Sequence, residues 1–136
     1  MTRSLTRPNE TAQFMARGLG WFSIGLGLCE LLAPGTIKRN VGTPGPKGLL
    51  QSYGAREIIT GVAILTSDRP VTMTWARVAG DILDLMTLAP ALDGRNPHRF
   101  AAEGAVAFVA LATLMDAYVA LQGDEIEDKA RYLPAA

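Results

Sequence analysis

Four long apolar stretches divide the chain, separated by short polar segments rich in glycine and proline. The first runs from Phe14 to Ala33 (FMARGLGWFSIGLGLCELLA) and the second from Leu49 to Leu65 (LLQSYGAREIITGVAIL). The third covers Val71 to Leu92 (VTMTWARVAGDILDLMTLAPAL) and the fourth Phe100 to Leu121 (FAAEGAVAFVALATLMDAYVAL). Each is about 17–22 residues long, close to what a helix rising ~1.5 Å per residue needs to cross ~30 Å of hydrocarbon. The strict alternation of a half-buried strand is absent, and Gly and Ala are too frequent for a β core. The pattern predicts an all-α fold, a four-helix transmembrane bundle.

The links support that division. Pro34-Gly35 closes the first stretch, and Pro44-Gly45-Pro46 with Gly48 breaks the chain before the second. Ser67-Asp68-Arg69-Pro70 makes a tight connection, and Asp93-Gly94-Arg95-Asn96-Pro97 ends the third stretch. Links this short make neighbouring helices antiparallel, giving up-down topology. The expected organisation is a polar N-terminal arm over 1–13, a membrane domain over 14–121 and a polar tail over 122–136. Small residues recur three or four apart, as in Ala16/Gly20, Ser23/Gly27 and Ala76/Gly80, with Ala101, Gly104, Ala105 and Ala112 in the fourth stretch. Such pairs let helix backbones approach closely in lipid.

Charge enters the apolar stretches. Arg17 and Glu30 lie in the first, Arg56 and Glu57 in the second, Arg77, Asp81 and Asp84 in the third, Glu103 and Asp116 in the fourth. An ionisable group at membrane depth costs roughly 2.5–3.5 kcal/mol on insertion scales unless it is paired or wetted, so these side chains should face inward. Arg77, Asp81 and Asp84 are spaced i, i+4, i+7 and share one helix stripe, where Arg77 can reach Asp81. Alternating helix direction sorts the rest by depth. It pairs Arg17 or Arg77 with Asp116 and Asp81, and Arg56 with Glu30 or Asp84. Carboxylates outnumber arginines, so some carry protons or a cavity or cation compensates them. Glu103, near a helix end, can reach water.

The totals add exclusions. Lys+Arg and Asp+Glu both number 13 in 136 residues, which gives no electrostatic drive toward nucleic acid. A hydrophobic share of 49% and a mean hydropathy of +0.17 fit soluble and membrane proteins equally, so distribution decides. Cys29, the single cysteine, forms no internal disulfide and is expected as a packed thiol. The polar start MTRSLTRPNETAQ lacks the apolar core of a signal peptide, so the first helix is expected to direct insertion. Basic residues divide almost evenly between the two sides, and Arg17 tips the termini toward the cytoplasm.

Catalytic chemistry is hard to assemble. His98, the only histidine, lies in a polar link, so there is no histidine pair for haem, di-iron or zinc and no ready Ser-His-Asp triad. The glycines of GLGWFSIGLG do not follow a strand, as a dinucleotide loop would. No catalytic residue, metal or cofactor is expected. Trp21, Trp75, Tyr53 and Tyr118 read as core or interface anchors.

The strings ARGLGWFSIGLGLCELLAPG, YGAREIITGVAIL, WARVAGDILDL and LMDAY together resemble a group of uncharacterised bacterial membrane proteins often labelled "cyclase/dehydrase", with a layout similar to DoxX-like proteins. The likeness covers roughly 14–121. It implies a multi-pass protein of the bacterial inner membrane with a polar core of Arg17, Glu30, Tyr53, Arg56, Glu57, Arg77, Asp81, Asp84 and Asp116. It carries no established reaction, and the enzyme label is not transferred. Three functions stay open. The first is a non-enzymatic accessory or structural subunit, with the bilayer, other membrane subunits or a second copy as partners. The second is a proton, ion or small polar-solute site on Asp81, Asp84, Glu57 and Glu30. The third, by analogy to DoxX-like proteins, is an oxidoreductase accessory holding a quinone or lipid near Trp21, Tyr53 and Trp75.

Overall fold

The computed structural model describes residues 10–43 and 45–123, and these are all-α. The polar tail after Gly123, and the arm before Glu10, lie outside the described residues. The helices are α1 (Glu10–Leu32), α2 (Pro34–Val41), α3 (Lys47–Thr66), α4 (Pro70–Met73), α5 (Trp75–Leu88) and α6 (Arg99–Gln122), with a 3-10 turn at Ala89–Leu92.

The α1–α3 pair is built on glycine. A Cβ on Gly27 would stand 2.4 Å from the carbonyl oxygen of Gly54, and one on Gly61 would stand 2.5 Å from that of Gly20. Only glycine permits so close an approach of two backbones. Gly27 facing Gly54 and Gly20 facing Gly61 also fixes the register as antiparallel. The buried stripe of α1 is Ala12, Ala16, Gly20, Ser23, Gly27 and Glu30, three or four residues apart as a packed helix face requires, with Leu19 beside it. The matching stripe of α3 is Gly54, Glu57, Gly61 and Ile64. On α6 the buried small residue near the start is Ala102, while Ala101 and Gly104 are exposed. Ala76 is exposed too, so only Gly80 of that pair is packed.

Along the long axis the interior changes character. Ala12, Ala16, Leu19, Ile64, Val71 and Val119 form a dry apolar cluster at one end. Charged side chains fill the middle, and a cleft of about 260 Å3 opens toward the other end.

Two local elements depart from the sequence reading. The segment after Ala33 forms α2 rather than a plain link, bent by 87° from α1. Its proline stands at the helix start, where no amide is needed, and Gly42 closes it in the left-handed region with its N–H bonded to the Lys38 carbonyl. Pro34 and Gly42 punctuate a short helix, not a gap. The third stretch ends earlier than expected as an α-helix, at Leu88, because Pro90 has no amide to continue the ladder.

Among the described residues, one helix, α6, is by itself long and apolar enough to cross a membrane, and α1 with α2 adds a second only as a bent pair. Length and apolarity alone therefore do not give the four crossings expected. Lys47, Arg56 and Glu57 charge α3, and the 14 residues of α5 span only about 21 Å. The surface is nonetheless inverted relative to an ordinary soluble domain. Arg77 heads the fully buried side chains, with Glu57 and Asp116 also among them, while Phe100, Leu32 and Phe14 are 89%, 82% and 79% exposed.

Candidate functional site

Glu57 is the hub of the buried charges. Its Oε1 accepts from Arg56 Nη2 at 3.1 Å, and its Oε2 accepts from Arg77 Nη1 at 3.1 Å. The Ser23 hydroxyl lies 2.6 Å from the same Oε2 and 2.7 Å from the Glu57 carbonyl. Arg77 Nε also donates to Asp116 Oδ1 at 2.9 Å, so one guanidinium joins α3, α5 and α6. Its plane stands 5.6 Å from the Phe22 ring on α1, a cation–π contact. Arg77, Glu57 and Asp116 are each at most 1% exposed. Charge-assisted bonds in so dry a setting are strong, and each partner depends on the others for solvation.

A second arm points toward the cleft. Arg56 Nη2 donates to both oxygens of Asp84, at 2.9 and 3.1 Å, and its guanidinium stands 5.3 Å from the Tyr53 ring. Room for it comes from Gly80, where a Cβ would fall 1.9 Å from Arg56 Nη1. Tyr53 shares a 2.5 Å hydroxyl contact with Thr87, whose own hydroxyl donates to the Leu83 carbonyl. Several buried polar atoms have no hydrogen-bond partner: Glu30 Oε2, Thr43 Oγ1, Asp81 Oδ2, Asp116 Oδ2 and the Nε and Nη1 of Arg56. One ligand oxygen from each of Glu57, Asp81 and Asp84 falls within 4.8 Å of the others, a spacing that can hold a cation.

Eight of the nine residues singled out in the sequence converge here: Glu30, Tyr53, Arg56, Glu57, Arg77, Asp81, Asp84 and Asp116. Arg17 does not. It is exposed, because position 17 falls about 100° around the helix from the buried Ala16. Two expected pairings form, Arg77 with Asp116 and Arg56 with Asp84. The bonds of Arg77 reach across to α3 and α6 instead of back to Asp81 on its own helix. Glu103 sits at the surface in a pair with Arg99 at 3.0 Å. Cys29 is exposed rather than packed, and His98 is exposed. Trp21 and Trp75 are exposed as well and, unlike Tyr53, do not line the cleft, so the three form no common cradle.

Sequence reasoning missed Ser23, Thr43 and Thr87. Thr87 lies three residues after Asp84 and extends the stripe of Arg77, Asp81 and Asp84, so its signal was present. Ser23 could be read only as a small packing residue, and Thr43 sits in a proline- and glycine-rich link without periodicity.

Comparison with family models, curated proteins and solved structures finds no match to this chain.

Proposed function

We propose that the protein is a small multi-pass membrane protein acting as a non-enzymatic accessory or structural subunit, its shape held by the Arg–carboxylate network. The observation that carries this reading is the inverted surface. Large apolar side chains project outward from α1, α3, α5 and α6, while arginines and acids occupy the interior. In water that distribution leaves large apolar side chains unburied; in lipid they meet hydrocarbon, while the charges, out of solvent in either setting, are kept from the tails by pairing with one another. The crossings are α1, α3, the rod of α4 and α5, and α6. Arg56 bonds Glu57 and Asp84, and Arg77 bonds Glu57 and Asp116, so α3 and α5 tolerate charge that a lone span would not. On this reading α2, bent by 87° from α1 and carrying Lys38 and Arg39 in its last turn, lies along the membrane surface. The resemblance to DoxX-like and "cyclase/dehydrase" membrane proteins agrees with this layout and with an inner-membrane location, and Arg17 favours cytoplasmic termini.

As a subunit, the exposed apolar face serves partner helices as well as lipid. Native gels of membranes from cells with and without the protein test the proposal. The expected result is co-migration with a larger assembly that is diminished in its absence. A protein that leaves the membrane without detergent, or whose loss alters no membrane assembly, overturns it.

A second reading is a proton or cation site at Glu57, Asp81 and Asp84. Its support is the donor-free Oδ2 atoms of Asp81 and Asp116 beside that carboxylate cluster, each of which a proton or a cation would satisfy. Proteoliposomes loaded with a pH- or cation-sensitive dye test it. Flux lost on Asp81→Asn supports this reading, and no flux above empty liposomes removes it.

A further inference from the structure

The cleft at the α2 end carries two unsatisfied buried oxygens, and their chemistry selects a ligand. Glu30 and Thr43 both line it, at 9% and 4% exposure, and neither Glu30 Oε2 nor Thr43 Oγ1 has a hydrogen-bond partner. A buried carboxylate oxygen without a donor costs roughly 1–3 kcal/mol or more, so a native site of this kind calls for an occupant. Asp84, the other acid on the wall, is already held by Arg56, and the Tyr53 and Thr87 hydroxyls hold each other. Glu30 has no such arginine among the described residues. The rest of the lining is apolar, including Leu26, Leu50 and Phe108.

We infer that this cleft binds a small amphiphile with a primary ammonium head and a compact apolar body. An ammonium group offers three N–H donors, enough to reach Glu30, Thr43 and one further oxygen on the same wall. It also offsets a local excess of carboxylate, since Arg56 and Arg77 face Glu30, Glu57, Asp81, Asp84 and Asp116. A carboxylate head would instead meet Glu30 and Asp84 as like charges. Tyr53 and Phe108 add aromatic surface to the cleft wall, which suits the apolar body. At about 260 Å3 the cleft lies below the usual range for drug-sized ligands and has no room for a phospholipid. The site does not depend on whether lipid covers the outer surface, so its failure and that of the membrane reading are separate results.

The test uses the full chain in phosphatidylcholine nanodiscs, with phenethylamine as probe and empty nanodiscs as reference. Phenethyl alcohol and 3-phenylpropionate carry the same ring with neutral and anionic heads. Titration calorimetry is expected to show saturable binding of the amine, at least about tenfold tighter than the alcohol, and none of the carboxylate. Glu30→Gln removes the charge with little change of shape and is expected to weaken the amine by at least about tenfold. Leu50→Trp fills the apolar end without touching an acid and is expected to abolish binding even if Glu30→Gln fails to fold. No saturable binding of the amine, equal binding of all three probes, or binding that survives Leu50→Trp overturns the proposal.

Discussion

Replacing Arg77 by Met probes the centre of the structure, because Arg77 joins three helices through one guanidinium. The substitution removes the 3.1 Å bond to Glu57 and the 2.9 Å bond to Asp116 at a site 1% exposed. The two acids are not stranded equally. Glu57 keeps Ser23 and Arg56, whereas Asp116 loses the arginine bonded to its Oδ1 while its Oδ2 has no hydrogen-bond partner. Breaking a buried pair by removing one partner costs about 3–5 kcal/mol, most of it from the carboxylate left behind. Arg77→Met should therefore destabilise by that amount, with the cost concentrated at Asp116. Adding Asp116→Asn removes the stranded charge and should recover at least half the loss. Arg77→Lys keeps the charge but cannot bond both acids in one plane, and should cost about 1.5–3 kcal/mol, one charge-assisted bond. Reversible unfolding of the purified protein in mixed micelles, followed by circular dichroism, measures the series. A cost below about 1 kcal/mol for Arg77→Met, or no recovery in the double variant, refutes the idea that this guanidinium sustains the fold.

Further outcomes follow from the same geometry. Gly27→Ala and Gly61→Ala each force a methyl against a backbone carbonyl of the facing helix and should lower stability by about 1–3 kcal/mol in thermal melts. Gly18→Ala and Gly25→Ala, where a Cβ meets nothing within 4 Å, should instead raise it by up to about 1 kcal/mol. Thr87→Val leaves the Tyr53 hydroxyl without its partner and should cost about 1 kcal/mol in the same assay. Arg17→Ala removes an exposed charge from a crossing helix and should leave stability in micelles unchanged or raise it.

Much of the polar core was legible because helix periodicity and antiparallel order are both readable from a chain. The i, i+4, i+7 spacing put Arg77, Asp81 and Asp84 on one stripe. Depth matching across alternate helices included Arg77–Asp116 and Arg56–Asp84 among its alternatives, beside pairings that do not form. The hub was harder to see. Arg56 and Glu57 are adjacent, so they point about 100° apart, and nothing local says which faces the centre. Gly54 and Gly61 do say it, once their contact with α1 is known, since Glu57 lies on their stripe. Arg17 could have been excluded on the same ground, because the small residues at 16, 20, 23 and 27 already claim the inner face of α1. The 87° bend into α2 left no periodic signal. Eight residues hold too few turns to show an apolar stripe, and the flanking proline and glycine read equally well as a loop. The cleft depends on Thr43 and Glu30 meeting Tyr53 and Asp84 from different helices, which is a tertiary fact.

The central claim is that charge faces inward while the outer surface meets hydrocarbon. Spin labels at Leu111 of α6 and Ile59 of α3, both 68% exposed, test it in nanodiscs on a Cys29→Ser background. Collisional relaxation by oxygen, which concentrates in lipid, should be strong at both sites, and relaxation by a water-soluble nickel chelate should be weak. Strong nickel relaxation at both positions would place that surface in water and contradict the account.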